Sequence, residues 1–167
     1  TLGHAADYVK RLRAARIEVD PAARQADILK QVRKLAKAAG GRVADEGVLG
    51  EVTNLVERPT ALLGSFDPAH LALPRDVLIS VMKKHQRYFP AYRSEGKLLP
   101  CFIAVRNGDD QNLDLVADGN AQVVRARFAD AAFFVNEDLK HSLEERLPRL
   151  GTLTFQFKLG SMLDKSK

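Results

Sequence analysis

Apolar residues recur at helical spacing in several stretches of this chain and at strand spacing in two. Residues 5 to 16 place Tyr8, Leu12 and Ala15 on one helical face, and Ile17 to Val19 reads as an extended link. Asp20-Pro21 predicts a helix start. An Asp side chain accepts from free first-turn amides, and Pro in that turn has no amide to leave unpaired. Ile28, Leu29, Val32, Leu35, Ala36 and Ala39 then share a face, and Gly40-Gly41 predicts its end. Arg42 to Ala44 reads as a short strand, and Gly47 to Leu55 as a short helix or an extended segment.

Turn residues bracket the apolar run from Thr60 to Phe66, which predicts a strand. A second helix start falls at Leu73-Pro74, with Val77, Leu78, Val81, Met82 and His85 on one face. The spacing breaks at Tyr88 to Arg93, Ser94 to Lys97 is turn-like, and Leu99 to Val105 is strongly strand-like. Together they predict a β-hairpin with Pro90 near its edge. After a polar loop from Arg106 to Asn112, a long helix is expected from Asn120, just past Gly119, to Leu139. Its stripe is Val124, Phe128, Ala131, Val135 and Leu139. His141 to Leu150 adds a helical turn or two. Helices and strands mix without regular alternation, so the expected class is α+β, with a mixed sheet packed by helices.

The 167 residues suit one core, and 46% hydrophobic with 28% charged residues excludes a disordered chain. No apolar stretch approaches the ~20 residues of a membrane span, and no signal-peptide pattern opens the chain, so a cytoplasmic protein without a membrane partner is expected. The single cysteine, Cys101, lies in an apolar run and reads as a buried, inert thiol. One Cys and four scattered His give no zinc spacing, and no metal site is expected. The net charge of +5 fits a polyanionic partner without demanding one.

Phosphate-cradling glycine loops and the HExxH and GxSxG patterns are missing from the sequence. No catalytic residue is therefore assigned. The best candidates for chemistry lie in the run from Met82 to Phe89. Lys83, Lys84 and Arg87 carry charges that neutralise phosphates, and Tyr88 offers a ring for an unpaired base. His85 reads as a residue at the core edge bonding a helix-end carbonyl, as an RNA contact, or as an acid-base group, for which the sequence offers no neighbouring carboxylate or nucleophile. Arg106 opens the loop after the hairpin, where functional side chains concentrate, and Asp109-Asp110 follow it as an ordinary solvated turn. Arg125 and Arg127 lie roughly 160° apart on their helix and cannot easily share one phosphate; each reads equally as pinning the helix to the sheet or a neighbouring domain or as an RNA contact, with Arg125 the preferred contact.

Five blocks in order carry a family resemblance: residues 51–59 (EVTNLVERP), 74–89 (PRDVLISVMKKHQRYF), 98–107 (LLPCFIAVRN), 119–134 (GNAQVVRARFADAAFF) and 155–165 (FQFKLGSMLDK). The chain resembles the β subunit of the bacterial two-subunit, α2β2-type glycyl-tRNA synthetases, and reads as an internal, domain-sized piece of one. The resemblance implies residues 1–45 as an N-terminal helical segment, 46–150 as an α+β core, and 151–167 as the start of a following helical segment. It also implies a fold similar to the B3/B4 domain of phenylalanyl-tRNA synthetase β chains. Amino-acid activation, with ATP and Mg, would belong to the α subunit. This piece would bind tRNA-Gly and assemble with the α subunit and other β-subunit domains, needing no cofactor and showing no activity alone. Two alternatives follow: a purely architectural domain without RNA contact, and an editing-like domain that hydrolyses aminoacyl-tRNA esters.

Overall fold

The computed structural model describes residues 3–43 and 47–167. Contacts divide the chain into two compact units, residues 1–129 and 130–167. The boundary expected at residues 45 and 46, and Ala44 of the expected short strand, lie outside the described residues.

In the first unit, α1 (Asp7–Ala14) leads through the link at 17–19 to α2 (Pro21–Ala38). Asp20 caps α2 as the sequence predicts, its Oδ1 accepting from the Ala22 amide at 2.9 Å. At the other end the Gly41 amide donates to Ala36 O and the Gly40 amide to Lys37 O, a Schellman closure with Gly40 at φ +78°. Gly41 is required for a second reason. A Cβ there would sit 2.6 Å from Tyr92 O, against which Arg42 forms an isolated bridge.

A three-stranded sheet follows in the order β1 (Pro59–Ser65), β3 (Leu98–Asn107), β2 (Phe89–Tyr92). Both pairings are antiparallel, so the class is α+β but the sheet is not the mixed one expected. The expected hairpin is present as β2–β3, and β1 pairs with β3 along its whole length, Pro59 opposite Asn107 through Ser65 opposite Cys101. β3 is buried on both sides. Ile103 packs with Phe89 under Ile28, Val32 and Ala36 of α2 and Val52 of α3 (Leu49–Leu55). α2 is thus a wall of the core. Phe102 points to the opposite face, stacked on Tyr88 with ring centroids 4.7 Å apart. Gly64 of β1 lies against that Phe102 ring, where any Cβ would be 2.2 Å from it.

Buried Arg24 ties this architecture together. Its guanidinium donates to Thr53 O at 2.8 Å and Glu18 O at 2.6 Å, joining α2, α3 and the link before α2.

The helix expected from Asn120 starts seven residues earlier, as α5 (Leu113–Asp138). Its stripe is buried only in part. Val124 and Phe128 are fully buried, Phe128 edge-on to Phe66 at 5.0 Å, whereas Leu139 is 80% exposed.

In the second unit, α6 (Leu143–Arg146) is followed by a 3-10 turn, a short antiparallel hairpin of β4 (Thr154–Gln156) and β5 (Gly160–Ser161), and α7 (Met162–Ser166). Residues 151–167, expected as the start of a following helical segment, hold the end of the 3-10 turn, that hairpin and α7.

Candidate nucleic-acid interface

The segment that carries most candidate contacts is shaped by a change of helical pitch. α4 (Arg75–Ser80) obeys ordinary spacing, but residues Val81–His85 continue it as a π turn. The chain then leaves through Arg87, which adopts φ +56°, so that the Arg87 amide donates to Lys83 O and the Tyr88 amide to Met82 O. That closure resembles a Schellman motif widened by one residue. π turns insert an extra residue and rotate everything after it around the axis.

The rotation explains where the candidates lie. His85, placed by 3.6-residue spacing on the apolar face, is instead exposed, while Val81 and Met82 remain in the core. Among the described residues the His85 side chain has no hydrogen-bond partner, so the helix-end carbonyl bond of one reading is not made. Lys84 is exposed beside it. Lys83 is half-buried, and loss of solvent lowers its pKa from the ordinary lysine value. Arg87 is 46% exposed and pairs with Glu51 of α3 at 3.1 Å. Glu51 is a residue the sequence did not single out, because its link to Arg87 spans 36 positions and has no local pattern.

Tyr88 is a correction. Its ring, read as an open platform for a base, is 8% exposed and stacked on Phe102, and burial raises its hydroxyl pKa. The aromatic character of the run belongs to the core, since Tyr88 and Phe89 lead into β2 and point to opposite faces of the sheet.

Arg106 and Arg125 lie on other elements. Arg106 closes its own loop, donating to Gln111 O at 2.8 Å and pairing with Asp109 at 3.4 Å. Arg125 is exposed on α5, as is Arg127. The structure therefore gathers Lys84, His85 and Arg87 on one exposed helix end, half-buries Lys83, withdraws Tyr88, and leaves Arg106 and Arg125 on separate elements. Arg75, also passed over by sequence reading, caps the Tyr92 ring at 5.4 Å.

A cleft of about 420 Å³ in this unit is lined by Arg16 and Arg58 together with Glu18, Asp27, Asp109 and Asp110. Its mixed charge does not suit a polyanion. Cys101 is buried as expected, and burial raises its thiol pKa. No group of His, Cys, Asp and Glu among the described residues is placed to hold a metal ion, and no helix there is long and apolar enough to cross a membrane.

A basic helix end is common, and only comparison with other proteins says whose it is. The family model described as glycyl-tRNA synthetase beta subunit matches residues 1–167. The chain belongs to the glycyl-tRNA synthetase β-subunit family. It is similar to the glycine–tRNA ligase beta subunit of Listeria monocytogenes serotype 4b, with 45% identity over all of this chain and 24% of that protein. The namesake from Desulforamulus reducens is 50% identical over 95% of this chain and 23% of its own length. That from Synechocystis is 47% identical over 99% and 23%. The chain thus spans about a quarter of the length of the curated relatives it matches, and the family resemblance seen in five blocks extends through its N-terminal helices.

Proposed function

We propose that this chain serves a glycine–tRNA ligase by binding tRNA-Gly through its phosphates and by joining the other parts of that enzyme. In this reading the holoenzyme attaches glycine to the 3′ end of tRNA with ATP and Mg, in the cytoplasm. Activation takes place on the α subunit, and this chain brings RNA to it. The observation that carries the reading is the exposure of Lys84, His85 and Arg87 together at the end of the π turn, in a chain of a tRNA-ligase family. Phosphate recognition asks for solvent-facing cations on a rigid element, and a helix that buries Leu78 and Met82 meets that need. Arg125 is the candidate on α5. Lys83 supports the charge from a half-buried position, and Arg106, held by its own loop, is the weakest candidate.

A titration of the chain against tRNA-Gly and a non-cognate tRNA at two salt concentrations tests this. Affinity is expected to fall with salt, log K against log salt having a slope of about −0.7 to −0.9 per phosphate contact. Lys84→Ala combined with Arg87→Gly removes two charges, and glycine accepts the left-handed backbone at position 87 without strain. This variant is expected to bind several-fold more weakly with a shallower salt slope. Binding that is unchanged in the variant, or absent in the folded wild type at low salt, rejects the RNA role.

The architectural alternative is favoured by a separate observation, the exposed apolar side chains of residues 130–167. The ester-hydrolysing alternative gains no such support. His85 has no orienting carboxylate among the described residues.

A further inference from the structure

The start of β1 and the end of β3 meet at Pro59 and Asn107, beside the cleft of about 420 Å³. Neutral groups fix the backbone there. Asn107 Oδ1 accepts from the Glu57 and Arg58 amides at 3.1 and 3.0 Å, the Gly108 amide donates to Arg58 O at 2.9 Å, and Thr60 Oγ1 donates to Gly108 O at 2.7 Å. Gln31 of α2 donates to Pro59 O at 3.1 Å and accepts from the Ala61 amide at 2.9 Å. Arg106 closes the loop that carries Asp110 through its bond to Gln111 O. The wall of the cleft is therefore set before any ligand arrives, which lowers the ordering cost of binding.

Of the charged residues that line it, only some are engaged. Glu18 pairs with Arg13 at 3.5 Å and accepts from the Asp20 amide, and Asp109 pairs with Arg106 at 3.4 Å. Asp27 accepts from Gln31 Nε2 at 2.8 Å, a neutral donor that leaves its charge uncompensated. Among the described residues the side chains of Arg16, Arg58 and Asp110 have no hydrogen-bond or ion-pair partner. Two cations, Arg16 and Arg58, and two anions, Asp27 and Asp110, thus face the cleft without ion pairs. A simple anion meets the aspartates and a simple cation meets the arginines, so neither complements the whole site. A ligand bearing both signs does.

We propose that this cleft binds a small zwitterion of the amino-acid type, its carboxylate held by Arg16 and Arg58 and its ammonium group by Asp27 and Asp110. The planar guanidinium fork suits a carboxylate, and a carboxylate accepts from an ammonium group. The volume lies within the range of small-molecule sites. The neutral lining is Gln31, Thr60 and Pro59, which offers no apolar recess for a large side chain and favours a small or polar one. Binding is reversible and breaks no bond. None of Lys84, His85 and Arg87 lines this cleft, so the inference stands apart from the RNA reading.

The test is an NMR titration of the isotope-labelled 167-residue chain at low ionic strength with alanine, alanine methyl ester, which lacks the carboxylate charge, and N-acetylalanine, which lacks the ammonium group. Alanine is expected to shift the amides of Arg58, Gly108 and Asp110 and to bind several-fold more tightly than either analogue. Arg58→Gln is expected to weaken alanine several-fold and leave the ester nearly unchanged, and Asp110→Asn to weaken alanine and leave N-acetylalanine nearly unchanged. Neither side chain makes a bond on which the fold depends, and the comparison of the three ligands on the wild type needs no variant. Alanylalanine is the fourth ligand: saturable binding that both variants weaken supports the site, and tighter binding than alanine marks a short peptide as its occupant. Equal affinity for alanine and an analogue, shifts confined to other parts of the chain, binding indifferent to both variants, or no binding by the folded wild type overturns the proposal. The RNA titration reads Lys84 and Arg87 alone, so either proposal can fail while the other stands.

Discussion

Single residues in this fold are constrained by how close their neighbours come, and Gly64 shows it. A Cβ there would meet Phe102 Cζ at 2.2 Å, and Phe102 cannot retreat because it is fully buried and stacked on Tyr88. Gly64→Ala, which in an open strand improves local propensity, is expected to cost about 1–3 kcal/mol here through overpacking. A urea melt reads it, and Phe102→Leu in the same chain is expected to recover part of the loss. An unchanged midpoint for Gly64→Ala would show that the ring moves freely. The contact was invisible in the sequence, where Gly64 read only as part of an apolar run and Phe102 lies 38 positions away. Tyr88 was misread for a related reason. A tyrosine among lysines looks like a surface ring until the sheet that buries it is known. Cys101 was legible because its run is apolar on both sides.

At the scale of elements, legibility followed the strength of local chemistry. α2 was readable from end to end, since its Asp20 cap, its apolar face and its Gly40-Gly41 closure all act within a few residues. The β2–β3 hairpin was readable from the turn residues between two strand-like runs. The π turn was not, because no residue in Val81–His85 forbids ordinary spacing, and the extra residue is imposed by Met82 and Tyr88 both entering the core. That is why His85 was placed on the wrong side of its helix. α5 failed at its start, where Gly119 read as a boundary but lies inside the helix. Its position is exposed, and nothing stands within 4 Å of where a Cβ would go. Gly119→Ala is therefore expected to stabilise the chain by about 0.5–1 kcal/mol. In a chain of this size that amounts to roughly 1–4 °C in Tm. A Tm that is flat or lower would mean that the start of α5 is not helical in solution.

For the whole molecule, the core that makes the first unit fold also sets its response to alkali. Cys101, Tyr88 and Tyr92 are buried as neutral groups, and desolvation raises the pKa of each, partly offset at Tyr92 by Arg75. Their ordinary values are 9.0 for the thiol and 10.0 for the phenols. The unfolded chain therefore releases these protons first as pH rises, and the folded state binds more protons than the unfolded one. Stability from these groups is fully present below about pH 9 and is lost as pH climbs through their raised folded values. The slope is about −1.4 kcal/mol per pH unit for each proton by which the two states differ. Lys83 acts in the opposite sense. Its lowered pKa makes the folded state release a proton first, so its contribution rises with pH below the ordinary lysine value of 10.5. Urea midpoints measured from pH 7 to 10.5 are expected to be level at first and to decline beyond pH 9, where the thiol and phenols of the unfolded chain begin to ionise. Tyr88→Phe keeps the stack on Phe102 while removing one titrating group, and is expected to make that decline shallower. A flat profile in the wild type would show that the sheet admits water to these side chains, and the burial on which this account of the core rests would then be too tight.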